Sequence, residues 1–209
     1  MGAVLLGGII TSALSWRPGQ DEPLRYDKQH LVPFGEFIPT GFRWFTELMQ
    51  IPLGDFNRGA PVQPTLDWAG QRIAPNICYE DLFGEELARG FVAPALAPTV
   101  LVNLSNIAWF GDTVAIDQHR QISRLRALEL QRPMLRATNT GATLAIDHLG
   151  QVTHELPRLT RAVLAVEVEG REGLTPYARW AGRFGLWPLG LLGVVALALA
   201  WRRTGRSRP

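Results

Sequence analysis

Only a few residues in this sequence are equipped for covalent chemistry. The first is Cys78, the single cysteine, which ends an apolar run inside "NICYED". A thiolate is a strong nucleophile. One cysteine excludes an intramolecular disulfide and a cysteine-based metal cluster. The four histidines are scattered without HExxH-type spacing, so no metal and no cofactor is predicted. A lone cysteine on an apolar strand is most often buried and inert. Glu80, Asp81, Glu85 and Glu86 follow at once, however, which is poor company for a core thiol. A strand end that enters a helix also exposes a nucleophile and offers it backbone amides. Carboxylates disfavour a thiolate, so a cation or base must stand nearby.

Lys28 is the candidate cation. It lies in "RYDKQHLVPFGEFIP", residues 25–39, where Lys28 and Glu36 flank the apolar Leu31–Phe34. A surface loop has no need of those apolar residues, and a core strand has no need of those charges. Such mixtures line a cleft where charge is buried. Glu80 reads either as a site residue or as an acid solvated at a strand end. In "NLSNIAWFGD", Asn103, Ser105 and Asn106 are placed to line a site. Trp109 and Phe110 there read as an apolar wall or as core. His30, Arg136, Thr138 and Asn139 read as structural, and Gln118, His119 and Arg120 open a long helix. The Pro-rich stretch from Trp44 to Pro61 reads as a lid.

The elements that position these residues follow from pattern. Residues 3–10 and 11–16 read as strands, and "RPGQDEP" reads as a turn. Residues 25–39 are extended. Residues 41–50 carry apolar positions at helical spacing, and 51–66 form an irregular loop. Residues 71–80 are a strand running into a turn, 84–92 a short helix, and "TVLVNLS" a strand buried on both faces. The longest helix spans about 113–132, capped by Asp112 or Thr113, with Ile116, Ile122, Leu125, Leu128 and Leu130 as its buried side. Four strands close the domain: "MLRATNT", "ATLAIDH", "QVTHEL" and "AVLAVEVE". Alternating strands and helices followed by a run of strands give an α/β layered fold.

The chain has 209 residues, enough for one core of ordinary size, and a formal net charge of +2. No Lys/Arg stripe interleaves with aromatics, which argues against nucleic acid as a partner. "FGLWPLGLLGVVALALAWRR", residues 184–203, is uncharged until Arg202. As a helix its apolar part is roughly 27 Å long, near the thickness of a bilayer core. Trp187 and Trp201 sit at its ends as interfacial anchors do. The arginines that follow place the C-terminus, residues 204–209, in the cytoplasm and residues 1–180 across the membrane, in a bacterial periplasm. The start, "MGAVLLGGII", has no basic segment or cleavage site of a signal peptide and reads as a strand.

"YDKQHLVPFGEFIP", "NICYED", "NLSNIAWFGD" and "QHRQISRLRALELQRPMLRATNTGATLAIDHLG" closely resemble the C-terminal part of the apolipoprotein N-acyltransferases, a membrane-embedded branch of the nitrilase (carbon-nitrogen hydrolase) superfamily. The resemblance runs from about residue 3 to the tail helix. It implies a nitrilase-like αββα sandwich, incomplete at the N-terminus, followed by one C-terminal transmembrane helix in the bacterial inner membrane. It implies a Glu-Lys-Cys triad, with Lys28 and Cys78 matching two members and Glu36 supporting the lysine. Cys78 would take an acyl chain from a phospholipid as a thioester and pass it to the α-amine of a diacylglyceryl-cysteine apolipoprotein. The sequence departs from the family in two places. The triad glutamate belongs upstream of Asp21, where this chain has no acid, so the expectation is a truncated fragment of low or no activity. Ile107 stands where the family has aspartate. Two other readings stay open: an amidase using water, and a non-catalytic membrane-anchored remnant.

Overall fold

The computed structural model describes residues 4–5, 11–16, 19, 21–48 and 56–205. Among the described residues, nine strands fall into two sheets. β1 (Val4–Leu5), β2 (Ser12–Ser15) and β3 (Leu24–Asp27) form an antiparallel sheet of three. β4 (Leu66–Trp68), β5 (Gln71–Ile77), β6 (Val100–Ser105), β7 (Met134–Thr138), β8 (Leu144–Ile146) and β9 (Val152–Glu155) form a sheet of six in that order. Its centre, β5–β6–β7, is parallel and its flanks are antiparallel. β6 is the near-continuous apolar run expected of a central strand covered on both sides. Pro75 is tolerated in β5 because β4 pairs that strand only over residues 71–73.

Four helices follow the short α1 (Arg43–Leu48): α2 (Gly84–Ala88), α3 (Val114–Leu130), α4 (Pro176–Phe184) and α5 (Trp187–Gly205). α2, α3 and α4 cover one face of the large sheet. The core there joins Ala88, Phe91, Leu101, Ile107, Ile116, Leu130, Met134, Leu144, Ala178 and Ala181. Gly182 makes the α2–α4 contact possible, since a Cβ there would come within 2.4 Å of the Ala88 carbonyl oxygen. On the other side β2 lies against β5, with Ala13 and Ile77 buried. The described elements therefore stack as helix, sheet, sheet. α1 is too short, with Trp44 and Leu48 exposed, to supply the fourth layer of an αββα sandwich.

Several expectations are corrected. Of the strand expected at 3–10, residues 4–5 are a strand and 6–10 lie outside the described residues. Residues 25–39 are strand only as far as Asp27, and the irregular loop gives way to β4 at Leu66. The fourth closing strand, 162–169, joins no ladder, although its burial alternates residue by residue. A period of two marks a strand, but hydrogen bonds need a neighbouring edge. The tail is not one straight helix from 184. Gly185, in the left-handed region at φ 55°, ends α4, and α5 leaves it at 77°. Among the described residues no single helix is long and apolar enough to cross a membrane; the bent pair Pro176–Phe184 and Trp187–Arg202 has the length and composition together.

α3 is capped by Thr113, whose side chain accepts from the Ala115 N–H, and ends at Gln131 in the left-handed conformation. Its buried stripe is Ile116, His119, Ser123, Ala127 and Leu130, whereas Leu125 and Leu128 are 40% and 46% exposed. Positions 116, 119, 123, 127 and 130 share one helix face, and 125 and 128 lie off it. The stripe thus carries two polar side chains inward. His119 Nδ1 faces Arg136 Nη2 at 3.1 Å. A guanidinium only donates, so Nδ1 accepts and His119 is neutral. Burial holds its pKa below the ordinary 6.5, with the Arg136 charge acting in the same direction against the pull of Asp81.

Two outcomes follow. Arg132, 1% exposed, directly follows α3 and donates to the carbonyls of Pro98 (2.5 Å), Leu130 (3.3 Å), Gln131 (2.9 Å) and Gly173 (2.6 Å). Arg132→Met should lower unfolding free energy by about 2–4 kcal/mol in urea titrations, because four carbonyls lose their donor and two of them, those of Pro98 and Leu130, are buried. Arg132→Lys should recover less than half of that loss. For His119, the unfolded chain binds a proton more readily than the folded one, so stability is full above about pH 6.5 and falls as acidification forces the proton on. His119→Asn keeps an acceptor for Arg136 and does not titrate. Wild-type stability should therefore drop relative to the variant between about pH 6.5 and 5. Parallel stability curves would refute the linkage.

Candidate active site

β5 ends at Ile77, and the chain swings at Cys78 into a 3₁₀ turn, Cys78–Leu82. Cys78 has φ 55°, a region that non-glycine residues seldom occupy and that is held only where surroundings enforce it. The thiol residue is half-buried. Asn103 Nδ2 donates to its carbonyl at 3.0 Å and to Asn76 Oδ1 at 2.6 Å. Both asparagines are fully buried and lie side by side in the β5–β6 register.

Lys28 follows β3 and is 1% exposed. Its ammonium donates to Glu36 Oε1 at 2.6 Å. Glu36 is brought back by a turn in which its N–H donates to the Val32 carbonyl at 2.9 Å, and its Oε2 accepts the Val32 N–H at 2.9 Å. The Lys28 backbone is held on both sides: its N–H donates to Thr11 O at 2.7 Å, and its carbonyl accepts from Gly59 N at 2.9 Å. Only glycine permits that approach, because a Cβ at 59 would stand 2.2 Å from the Asp27 carbonyl oxygen. The Gln63 amide completes the clamp, accepting from Asp27 N at 2.9 Å and donating to Asp27 O at 2.6 Å. Of the expected lid, 49–55 lie outside the described residues, while Phe56 and Gly59 are tied to Glu36 and Lys28.

Glu80 joins the two stretches. It is 3% exposed, which removes the reading of a solvated strand-end acid. Oε1 accepts the N–H groups of Gln29 (2.6 Å) and His30 (3.1 Å), next to Lys28. Oε2 accepts the N–H of Ile77 (2.6 Å), next to Cys78, and the Tyr26 hydroxyl (2.9 Å). Burial pulls its pKa above the ordinary carboxylate value, against the four donors. Burial, together with the Glu80 charge, holds the Tyr26 hydroxyl protonated well above its usual range.

Asp81, the next residue, is fully buried on the helix side. Its Oδ2 accepts from Ser123 Oγ at 2.6 Å and from Arg136 Nη1 at 3.0 Å. Burial raises its pKa, opposed by Arg136 and Ser123. Asp81 and Ser123 were not among the residues expected at the site. Their signal lay in a second acid after "NICYE" and in polar residues interrupting the inward face of α3.

The remaining expectations sort as follows. Ser105 is buried, and its hydroxyl has no partner among the described residues. Asn106 Oδ1 accepts from Asn139 Nδ2 at 2.7 Å, and Asn139 Oδ1 accepts the Ile107 N–H at 3.2 Å. Ile107 is fully buried in the core, so this loop is ordered by an asparagine pair and an apolar plug where a carboxylate was expected. Trp109 is 83% exposed and Phe110 is exposed as well, so neither is core. His30 stacks on Phe83 at 3.6 Å and pairs with Glu86 at 3.1 Å. A cavity of about 770 Å³ is lined by Tyr26, Gln29, Gln63, Arg72, Ala74 and Arg89 among others, but not by Cys78, Lys28 or Glu36.

This geometry offers a thiol on a strained turn, with buried polar groups behind it and a buried ammonium in the adjoining segment. It is equipped for attack on a carbonyl carbon. The family profile described as carbon-nitrogen hydrolase matches residues 7–177. Among curated proteins, the chain is similar to the apolipoprotein N-acyltransferases of Verminephrobacter eiseniae (63% identity, 86% of this chain, 35% of that one) and Ralstonia nicotianae (56%, 88% and 35%). It thus spans about a third of the length of these relatives. Its fold is similar to that of a carbon-nitrogen hydrolase from Helicobacter pylori G27 (TM-score 0.53, 13% identity, 72% of this chain and 54% of that one). An amidase from Nesterenkonia sp. AN1 is also similar (TM-score 0.50, 20%, 71% and 51%). With that profile matched across most of the sequence, the chain belongs to the carbon-nitrogen hydrolase family.

Proposed function

We propose that this chain is the cysteine-bearing part of a phospholipid:apolipoprotein N-acyltransferase. The observation that carries the reading is the Glu80 clamp, which ties the backbone beside Lys28 to the amide beside Cys78. It is supported by relatives above 50% identity that are named apolipoprotein N-acyltransferases. In the first half-reaction the Cys78 sulfur attacks the acyl ester carbonyl of a phospholipid. The C–O bond breaks, the lysophospholipid oxygen takes the thiol's proton, and an acyl thioester remains. In the second, the amine of a diacylglyceryl-cysteine apolipoprotein attacks the thioester, the C–S bond breaks, and the amine's proton returns to sulfur. Lys28 stabilises the oxyanion in both steps, an interaction worth a few kcal/mol in a water-poor site.

Glu36 orients the ammonium. Its two oxygens are engaged by Lys28 and Val32 N–H, and those of Glu80 by four donors. Neither is free to carry the proton, so a third carboxylate must do so. Asn103, Ser105 and Asn106 line the inner wall, and exposed Trp109 faces the acyl chain.

Residues 1–180 form the catalytic domain on the periplasmic side of the inner membrane. The apolar stretch 184–203, acting with α4 as a bent pair, anchors it, and the arginines of 204–209 lie in the cytoplasm. The test is made on membranes containing the protein, with phospholipid labelled in its acyl chain. Label should appear on Cys78, be released by neutral hydroxylamine, and be lost in Cys78→Ser. Lys28→Met should reduce the initial labelling rate about 100-fold or more. Label transfer to water in preference to an apolipoprotein amine would favour an amidase. Absence of any Cys78 adduct would overturn the proposal.

A further inference from the structure

Behind the nucleophile the large sheet changes character in one step. Ala74, Leu101 and Met134 form an apolar row across β5, β6 and β7. The next row on the same face is Asn76, Asn103 and Arg136, all polar and all buried. Cys78 lies two residues beyond Asn76, so the thiol-bearing turn leaves the sheet beside this polar row.

Arg136 is 2% exposed and carries the row's one charge. Its Nη1 donates to Asp81 Oδ2 at 3.0 Å and to Ser123 Oγ at 2.6 Å, and its Nη2 to His119 Nδ1 at 3.1 Å. Its Nε, also buried, has no partner among the described residues. Asp81 belongs to the same 3₁₀ turn as Cys78, so the counter-charge and the thiol move together. The other charges in the linked segments are already answered: Lys28 by Glu36, and Glu80 by four donors. Arg136 thus reaches the cysteine turn through Asp81, three residues after Cys78.

We infer that the buried Arg136–Asp81 pair tunes Cys78: Arg136 favours the thiolate, and Asp81 holds that effect in check. The pair is a positioning and charge-setting device behind the nucleophile and touches no substrate. The inference rests on Cys78 being the reactive thiol, but not on which acyl donor or acceptor it serves.

Alkylation of the purified full chain by iodoacetamide tests it. The probe is uncharged, and Cys78 is the only thiol, so every adduct seen by intact mass reports this site. At pH 7, Arg136→Gln should slow alkylation about tenfold, and Asp81→Asn should speed it about threefold or more, since the cation then acts unopposed. Arg136→Lys, which keeps the charge without the fork, should stay within about threefold of wild type. A purely structural network predicts otherwise: both Arg136 variants and Asp81→Asn would shift the rate in the same direction. That result, in variants with wild-type circular dichroism, overturns the inference. Should Asp81→Asn fail to fold, equal rates in Arg136→Lys and Arg136→Gln overturn it as well. Acyl transfer is not read in this assay, so failure of the thioester experiment and failure of the tuning are distinguishable.

Discussion

The site depends on one buried carboxylate. Glu80 has two oxygens and accepts four hydrogen bonds, three from backbone amides and one from Tyr26. Two of the amides lie in the segment of Lys28, and the third precedes Cys78. Charge-assisted bonds to backbone are short and directional, so they fix main-chain positions as well as side chains. A buried carboxylate stripped of its donors is strongly unfavourable, which makes the arrangement all-or-none: either both segments dock on Glu80 or its charge is left uncompensated. A loop that shares no ladder with β5 is thereby held in place against the cysteine turn. The strained φ of Cys78 persists because Glu80 grips one side of the turn and Asn103 grips its carbonyl.

The sheet register carries the same logic inward. In a parallel ladder, paired residues share a face, so one polar residue per strand at matched positions makes a polar row. Asn76, Asn103 and Arg136 are such a row, and α3 answers it with His119 and Ser123 where a purely apolar stripe would have left the guanidinium to Asp81 alone. This explains why α3 is only weakly amphipathic in sequence. Its inward face must be apolar over Ile116, Ala127 and Leu130, and polar over the row behind the nucleophile.

Much of this was legible in the sequence where chemistry is local. The run from Lys28 to Glu36 keeps its charges eight residues apart with a Pro-Phe-Gly turn between, and that turn closes the ion pair. The position of Cys78 at a strand end was equally plain. The clamp made by Glu80 was not, because three of its four donors lie about 50 residues away and two of those are backbone amides, which leave no mark on residue type. Leu125 and Leu128 misled for a related reason: leucine at helical spacing marks a candidate face, but only the partner layer decides which face is buried. Segment 162–169 shows the limit of periodicity. Its alternation is that of a strand, yet a strand exists only by pairing. The apolar tail read as one helix because hydropathy does not register the left-handed Gly185 that turns it.

The charges around the thiol form two neutral pairs and one dipole-bound anion. Lys28 and Glu36 stand 2.6 Å apart, and Arg136 and Asp81 3.0 Å apart. At such separations each pair presents mainly a dipole to its surroundings, so its influence on a nearby thiolate depends on orientation more than on charge number. Orientation here is set by backbone, since Lys28 is fixed through Thr11 and Gly59, and Asp81 through the cysteine turn itself. Burial then keeps water from averaging those dipoles away. A protein built this way can hold a reactive cysteine next to consecutive acids, because the acids are committed to other partners before the thiol ionises.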